Sequence, residues 1–361
     1  MGVERRRRVI ARGASLGALI AAGAGVQWRH TQRIANDPAY QRLHSPPSGR
    51  RLEVHSRDGT ILHAEWFGPE NGPTIVLAHG WTETLWYWTY VIDELLEREF
   101  RVVAYDLRGH GDSGLSESGD YALERFGEDI EAVLCACVPD GEHATLVGHS
   151  LGAMSIAAWA QRFEVDSRVG AAALLNTGFG DLLSKQLVLT LPAFAHALIE
   201  PLGRHLFLGA STPLPQFSSP ILHSVIRYFA FGPHATPAQV AFYEPMLLTC
   251  RPEVRAACGI AMCDMDLYAA LERLTVPTLV IAGTCDRLTP PSHARRIAES
   301  LPNLTGLIEV PEMGHMGPLE RGAELAAELA SLARRASERE GESTVAAEVA
   351  DASAAPGAVV A

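Results

Sequence analysis

The sequence predicts an α/β protein that has a mostly parallel sheet with helices on both faces. Short apolar runs recur along the chain and alternate with segments of helical spacing. Two of the runs, Thr74–Ala78 and Arg101–Tyr105, are apolar almost throughout, which is typical of strands buried on both faces. Turn residues separate the runs, so most strands are followed by a turn and then by a helix.

Size and charge limit the possible functions. The chain has 361 residues, of which 47% are hydrophobic, and a net charge of −12. This is enough for a large core, in one domain with an insertion or in two domains. Lys185 is the single lysine, and the basic residues are otherwise arginines. An acidic chain without a basic face argues against a nucleic-acid partner.

The cysteines do not form a metal-binding pattern. The chain has 6 of them, none in a C-x-x-C pair, and no histidine stands at zinc-ligand spacing from a cysteine pair. Buried free thiols are the first expectation, and a disulfide of Cys250 with Cys258 or Cys263 is the alternative. We expect no metal and no cofactor.

The amino-terminal segment, residues 1–29, has the features of a targeting sequence. Four arginines at residues 5–8 precede an uncharged stretch, residues 13–26, and Trp28 follows. This pattern fits a secretory signal or a short membrane anchor. It predicts a protein that is membrane-attached or exported in a bacterial cell envelope, and a cytoplasmic protein with a basic leader is the alternative. Residues 30–50 are polar and proline-containing, so we expect a linker there.

The first part of the core is predicted over residues 51–176. Residues 52–55 and Ile61–Phe67 alternate in polarity around Asp58-Gly59, which predicts an antiparallel hairpin at the sheet edge. Further strands are expected at Thr74–Ala78, Arg101–Tyr105, 145–149 and Val169–Leu175, and helices at 91–98, Leu123–Cys137 and 153–160.

The pattern is interrupted over residues 177–274, where many prolines separate apolar stretches. We expect several short helices there, lying over the sheet as a cap. The second part of the core follows at residues 275–336, with strands at Thr278–Gly283 and 306–310 and helices at 292–301 and 318–336. Residues 337–361 are rich in alanine and glutamate without an apolar period, and are expected to be disordered.

A candidate nucleophile lies in Gly148-His149-Ser150-Leu151-Gly152. An apolar run precedes this motif and a helix-forming run follows it, as G-x-S-x-G requires to act as a nucleophile elbow. A strand that turns directly into a helix strains the serine backbone, so its neighbours must lack bulk. The serine then lies at the amino end of a helix, which favours a developing anion.

A candidate acid and a candidate base follow in the chain. Asp286 comes after an apolar strand and before Pro290-Pro291, and His315 comes after the last strand. Ligands of an open parallel sheet bind beyond the carboxyl ends of its strands, so both side chains are expected near Ser150. The order Ser, Asp, His is that of a hydrolytic triad. A helix cap for the aspartate and an exposed loop position for the histidine are the alternatives.

These motifs resemble those of the α/β-hydrolase superfamily, and the resemblance covers residues 51–336. His79-Gly80-Trp81 after the third strand and the D-x-R-G-x-G-x-S turn at residues 106–113 also match. The resemblance implies an α/β-hydrolase fold with an eight-stranded sheet and a helical lid after the sixth strand. It also implies that Ser150 attacks, His315 transfers the proton, and Asp286 orients the imidazole.

Two backbone donors and a few side chains complete the candidate site. The backbone N–H groups of Leu151 and Trp81 would form the oxyanion hole. Trp81, Trp86 and His149 are the candidate substrate-binding residues. The aromatic cluster Trp81, Trp86, Tyr87 and Trp88 could line an acyl pocket, with core packing as the alternative for the last three. The His149 side chain is expected to point away from Ser150 and to serve packing. Asn176 occupies a position where some members carry the acid, and because it cannot ionise, Asp286 is favoured.

Serine at the elbow argues against the epoxide hydrolases and haloalkane dehalogenases, which use aspartate there. We therefore expect a serine hydrolase that cleaves a hydrophobic carboxylic ester, either a lipid or a small ester. Thioester hydrolysis, acyl transfer, perhydrolysis of the non-haem chloroperoxidase type and C–C hydrolysis are the alternatives. A ligand-binding relative without turnover is a further alternative, which an intact triad disfavours.

Overall fold

A computed structural model of the chain describes residues 22–182, 211–214 and 217–354. It contains an eight-stranded sheet in the order β1-β2-β4-β3-β5-β6-β7-β8. The β1–β2 and β2–β4 pairs are antiparallel and all others are parallel, so the predicted fold class is confirmed. The strands are Arg50–His55 (β1), Ile61–Phe67 (β2), Thr74–Ala78 (β3), Arg101–Tyr105 (β4), Ala144–His149 (β5), Val169–Leu175 (β6), Thr278–Gly283 (β7) and Leu304–Val310 (β8).

The sheet register brings the carboxyl ends of the parallel strands to one edge. Ala78 of β3 pairs with Gly148 of β5, and Gly283 of β7 pairs with Val310 of β8. Every residue of β3, β4, β5 and β7 is buried, as the apolar runs predict. Residues that directly follow these strands therefore lie close together, beyond the carboxyl ends of the strands.

Helices cover both faces of the sheet, and the sheet separates the core into two apolar clusters. Leu123–Cys137 and Leu151–Ala160 pack together on one face. Thr89–Leu96 and the first turns of Gly322–Ala354 pack on the other. The remaining helices are 22–35, Ala39–Leu43, Pro220–Ala230, Pro237–Thr249, Pro252–Asp264, Pro291–Ser300 and Gly317–Glu320.

The turn at Asp58-Gly59 explains why β1 and β2 form a hairpin at the edge of the sheet. The Asp58 carboxylate accepts a hydrogen bond from the Thr60 N–H, with an N···O distance of 3.1 Å. Gly59 adopts a φ of 88°, a left-handed conformation that costs glycine little. The predicted hairpin is therefore confirmed, with β1 beginning at Arg50.

The insertion, defined here as residues 177–274, contains helices joined by short turns in its described residues. Prolines open its three longer helices at Pro220, Pro237 and Pro252, because proline suits the first helical turn. Thr236 and Gln239 form a capping box at the start of the second helix. The apolar stretches 187–189, 198–199 and 206–208, expected to belong to a cap, lie outside the described residues.

The predicted membrane attachment is wrong. Across residues 22–182, 211–214 and 217–354, every helix is too short or too polar to span a bilayer. Helix 22–35 contains Gln27 and Arg29, and Gln27 Nε2 donates a hydrogen bond to the Ser218 carbonyl at 3.4 Å. This helix thus contacts the insertion. The arginines at 5–8 and the start of the apolar stretch lie outside the described residues.

Other segments also differ from expectation. The expected linker at 30–50 contains the end of helix 22–35 and the helix Ala39–Leu43. Asp37 accepts a hydrogen bond from the Ala238 N–H at 3.0 Å, which attaches this segment to the insertion. The last helix continues to Ala354 instead of ending at Ala336, because alanine, glutamate and arginine favour helix without an apolar face. The cysteines are free thiols, so the alternative disulfide is absent.

Candidate active site

Ser150 occupies a strained turn between β5 and the helix Leu151–Ala160. Its φ of 48° and ψ of −113° lie outside the regions that serine ordinarily adopts. A Cβ on Gly148 would stand 2.5 Å from the Ala153 nitrogen, and one on Gly152 would stand 2.2 Å from the Ala78 carbonyl oxygen. Both glycines are therefore required for the close approach of strand and helix.

Gly152→Ala is expected to destabilise the protein. The added methyl group would meet backbone of β3, which cannot move aside as a flexible side chain can, so we expect a loss of about 2–3 kcal/mol in unfolding free energy. Chemical denaturation measures this loss. Gly25→Ala is the matched control, because a Cβ there meets nothing within 4 Å. Equal stability of the two variants would contradict the elbow packing.

Asp286 follows β7 and is a buried hydrogen-bond acceptor, with 4% of its surface exposed. One carboxylate oxygen accepts from the N–H groups of Leu288 and Thr289, each at 2.8 Å. The other accepts from His315 Nδ1 at 2.8 Å and from the Thr289 hydroxyl at 2.8 Å. Burial alone raises the pKa of Asp286, but the charge and hydrogen bond of His315 and the other donors lower it overall.

His315 lies beyond β8 and is also buried, with 4% exposed. Its Nδ1 carries the hydrogen of the bond to Asp286, so Nε2 is left as the nitrogen that can accept a proton. Burial lowers the pKa of His315, but the carboxylates of Asp286, Glu83 and Glu320 raise it overall. The arrangement therefore favours the imidazolium once a proton arrives.

Asn176 joins the Asp286 loop to the elbow. Its Nδ2 donates to Asp286 Oδ2 at 2.9 Å and to the Gly314 carbonyl at 3.1 Å. Its neighbours in the chain hold the serine: the Ser150 N–H donates to the Leu175 carbonyl at 3.0 Å, and the Thr177 hydroxyl donates to the Ser150 carbonyl at 3.0 Å. Hydrogen bonds of the consecutive residues 175–177 thus connect the Ser150 turn with Asp286 and with the loop that carries His315.

The turn after β3 carries the Trp81 N–H. His79 is fully buried, and its Nδ1 donates to the Gly80 carbonyl at 2.8 Å while Nε2 accepts from the Leu107 N–H at 2.9 Å. Burial lowers the pKa of His79, which agrees with a neutral ring in these two roles. The Gly80 N–H donates to Glu83 Oε2 at 2.6 Å. Both hydrogen-bonding groups of Gly80 are therefore fixed next to Trp81.

The three candidate substrate-binding residues lie in different surroundings. Trp81 is half-buried, and its indole N–H donates to the Arg255 carbonyl in the insertion at 3.1 Å. His149 is fully buried and contacts Glu83, so the structure agrees with the packing alternative and does not bring its ring to a substrate pocket. Trp86 packs edge-on against Phe67, near the amino end of β4, and is likewise not brought to the site.

Besides Thr177, other described residues of the insertion contact the turn after β3 and the His315 loop. One such contact is that of Trp81 with Arg255. The Tyr243 hydroxyl lies 2.8 Å from the Thr82 hydroxyl in the turn after β3. The Ala230 carbonyl accepts from the His315 N–H at 2.8 Å. Both the turn after β3 and the loop that carries His315 are therefore held by the insertion.

Sequence comparison identifies the family. The sequence model described as the Alpha/beta hydrolase family matches residues 75–328, which is more than half of the chain. The chain belongs to the α/β-hydrolase family. It is a hydrolase, and the resemblance stated from the motifs is confirmed at the level of the family.

Individual relatives of this hydrolase have several named activities. A bifunctional esterase/perhydrolase of Acinetobacter calcoaceticus is 26% identical over 73% of this chain and 93% of its own length. A protein of Variovorax paradoxus (strain S110) whose name describes a carbamate hydrolase is 27% identical over 70% of this chain and 89% of its own. The crystal structure of the esterase RhEst1 from Rhodococcus sp. ECU1013 has a TM-score of 0.63 and 25% identity, covering 79% of this chain and 98% of that one.

Sequence reasoning missed two contributors to the site of this hydrolase, Glu83 and Thr289. Thr289 donates to the same oxygen of Asp286 that His315 contacts, and its position three residues after the acid was a weak signal. Glu83 lies three residues after Gly80 and accepts a hydrogen bond from the Gly80 N–H. No local sequence pattern distinguishes it from a surface glutamate. Its burial, with 2% exposed, results from the fold and is not visible in the sequence.

Proposed function

We propose that this hydrolase cleaves hydrophobic carboxylic esters through Ser150, His315 and Asp286. The observation that carries the proposal is the 2.8 Å hydrogen bond from His315 Nδ1 to the buried carboxylate of Asp286, linked to the strained Ser150 turn through Asn176. Acyl transfer requires a nucleophile, a base and an acid that orients the base, and these are the roles that we assign to Ser150, His315 and Asp286.

The chemistry proceeds through an acyl-enzyme. Ser150 Oγ attacks the ester carbonyl carbon, and its proton moves to His315 Nε2. The C–O bond to the leaving group then breaks, and His315 returns the proton to the departing oxygen, which releases an alcohol. Water attacks the acyl-enzyme in the same way, and its proton passes through His315 back to Ser150 Oγ, which releases the acid.

The anionic intermediate would be stabilised at two backbone sites. The Leu151 N–H lies in the first turn of the helix after the nucleophile, where no intrahelical acceptor exists. The Trp81 N–H follows Gly80, whose own N–H and carbonyl are bonded to Glu83 and His79. A donor of this kind typically contributes about 10²–10³ in rate. Trp81 remains the proposed contact to the acyl group.

The pH dependence follows from His315. The imidazole must be neutral to accept the serine proton, and its pKa is raised from the usual 6.5. We therefore expect kcat/KM to fall towards acid with a midpoint above pH 6.5. Asp286→Asn removes the carboxylate that most raises this pKa and should move the midpoint to lower pH. A midpoint that stays in place in this variant would contradict the assignment.

The proposed substrate class is tested with p-nitrophenyl esters from acetate to palmitate, using the full chain. Turnover that is highest with short chains would identify an esterase, and highest turnover with long chains would identify a lipase. Absence of turnover on every ester, by folded protein, would contradict carboxylic ester hydrolysis.

Perhydrolysis is the second candidate function, favoured by the relative named as an esterase and perhydrolase. In this reaction hydrogen peroxide replaces water and attacks the acyl-enzyme, releasing a peracid. Adding hydrogen peroxide to the ester assay distinguishes the two: a perhydrolase forms peracid at the expense of free acid, and an esterase does not.

A further inference from the structure

Behind Ser150 lies a buried pair, Glu83 and His149, that the proposed mechanism does not use. His149 has no exposed surface and Glu83 has 2%. His149 Nδ1 lies 3.1 Å from each carboxylate oxygen of Glu83. Removing a charge from water in this way costs free energy unless the charge is paired and hydrogen-bonded. We therefore ask which groups the pair binds.

The neighbours of the pair fix its protons. His149 Nε2 lies 2.9 Å from the His315 carbonyl oxygen. The Tyr87 hydroxyl lies 3.2 Å from the same nitrogen, and because a hydroxyl can also accept, it is compatible with a hydrogen on Nε2. The carbonyl oxygen is closer and can only accept, so we place a hydrogen on Nε2. A second hydrogen is required between Nδ1 and the carboxylate. The Gly80 N–H also donates to Glu83, at 2.6 Å, which favours the charged carboxylate and leaves that second hydrogen on Nδ1.

The pair connects two parts of the site that are far apart in the sequence. Glu83 holds Gly80, the residue before the proposed oxyanion donor Trp81. His149 holds the main chain of the proposed base, His315. The packing is tight, because a Cβ on Gly80 would stand 2.8 Å from His149 Nδ1 and 3.0 Å from the Glu83 oxygens. Movement of either element would therefore disturb the other.

We propose that His149, as an imidazolium paired with Glu83, positions the oxyanion turn and the His315 loop around Ser150. Both are positioning residues, since they act through Gly80 and the His315 main chain. The inference rests on the proposed function for its effect on rate, whereas the protonation of His149 can be measured independently.

Glu83→Ala tests the effect on rate. Gly80 loses its acceptor, and a displacement of about 1 Å at a catalytic group can cost about 10²-fold, so we expect kcat to fall about 100-fold with KM within about threefold. Glu83→Gln keeps the shape and still accepts from Gly80, but it removes the charge. We expect a loss of about tenfold in kcat, since charge-assisted hydrogen bonds are about twice as strong as neutral ones.

The insertion provides a matched control. Glu244 is a buried glutamate, with 1% exposed, and His223 Nδ1 lies 2.7 Å from it. It has the same chemistry as Glu83 but holds neither the oxyanion turn nor the His315 loop. Glu244→Ala and Glu244→Gln should leave kcat within about twofold, whatever they cost in stability. Thermal unfolding of each variant shows that the protein used is folded.

Nitrogen-15 NMR of histidine-labelled protein tests the protonation state without any substrate. The signal assigned by its loss in His149→Gln should show a hydrogen on both ring nitrogens in the wild type, and on one of them in Glu83→Gln. A neutral His149 in the wild type would overturn the proposal, even if no ester is ever turned over. So would folded Glu83 variants with wild-type kcat, or equal losses of kcat in the Glu83 and Glu244 series.

Discussion

Ser150→Ala is expected to reduce ester hydrolysis by about 10⁵–10⁶-fold, because it removes the only atom that is proposed to bond to the acyl group. The protein should remain folded, since the strained turn is fixed by Gly148 and Gly152 and not by the hydroxyl group. Steady-state hydrolysis of the best p-nitrophenyl ester, corrected for the uncatalysed rate, measures the loss.

Ser155→Ala is the control for this experiment. Ser155 is a buried serine in the same helix, and its hydroxyl donates to the Leu151 carbonyl at 2.7 Å. We expect this variant to retain activity within about twofold. Substantial turnover by Ser150→Ala would mean that the reaction does not pass through this serine.

Asp286→Asn has the second largest expected effect. An amide at this position presents an N–H to His315 or forces the imidazole into the other tautomer, so that Nε2 no longer accepts a proton from Ser150. In serine proteases the equivalent change costs about 10⁴ in kcat, and we expect a loss of that order. The readout is kcat at a pH well above the midpoint of the acid limb.

Asp129→Asn separates this effect from a loss of stability. Asp129 is fully buried and is bonded to the Arg108 guanidinium at 2.6 Å and 2.7 Å, away from the triad. The Asp129→Asn variant should have a lower free energy of unfolding than the wild type and a nearly unchanged kcat. An Asp286→Asn variant that keeps wild-type kcat would remove Asp286 from the mechanism, and Asn176 cannot replace it because its amide does not ionise.

The sheet was predictable because its signals are local. Runs such as Thr74–Ala78 and Val169–Leu175 are apolar almost throughout, and their boundaries were predicted correctly. β8 begins at Leu304 instead of residue 306, because its first residues are exposed and carry no apolar pattern. The end of the last helix at Ala354 was missed for a related reason, since helix propensity without an apolar face was interpreted as disorder.

The three residues proposed as the triad could be identified from the sequence, whereas the residues that contact them could not. Ser150, Asp286 and His315 each follow a recognisable strand, and the edge of a parallel sheet brings such residues together. Glu83 and Thr289 gain their partners only in the folded chain. For Trp86 the sequence left both an acyl pocket and core packing open, and in the structure the ring packs against Phe67. A short 3₁₀ helix, Leu85–Trp88, sets that direction.

The measurement that tests the central claim most directly is the mass of the intermediate. The full chain is mixed with a p-nitrophenyl ester, quenched in acid and analysed intact and after digestion. We predict a mass increase of one acyl group, on the peptide that contains Ser150, accompanied by a burst of p-nitrophenol and absent in Ser150→Ala. Turnover without any adduct, or an adduct on another residue, would contradict the account.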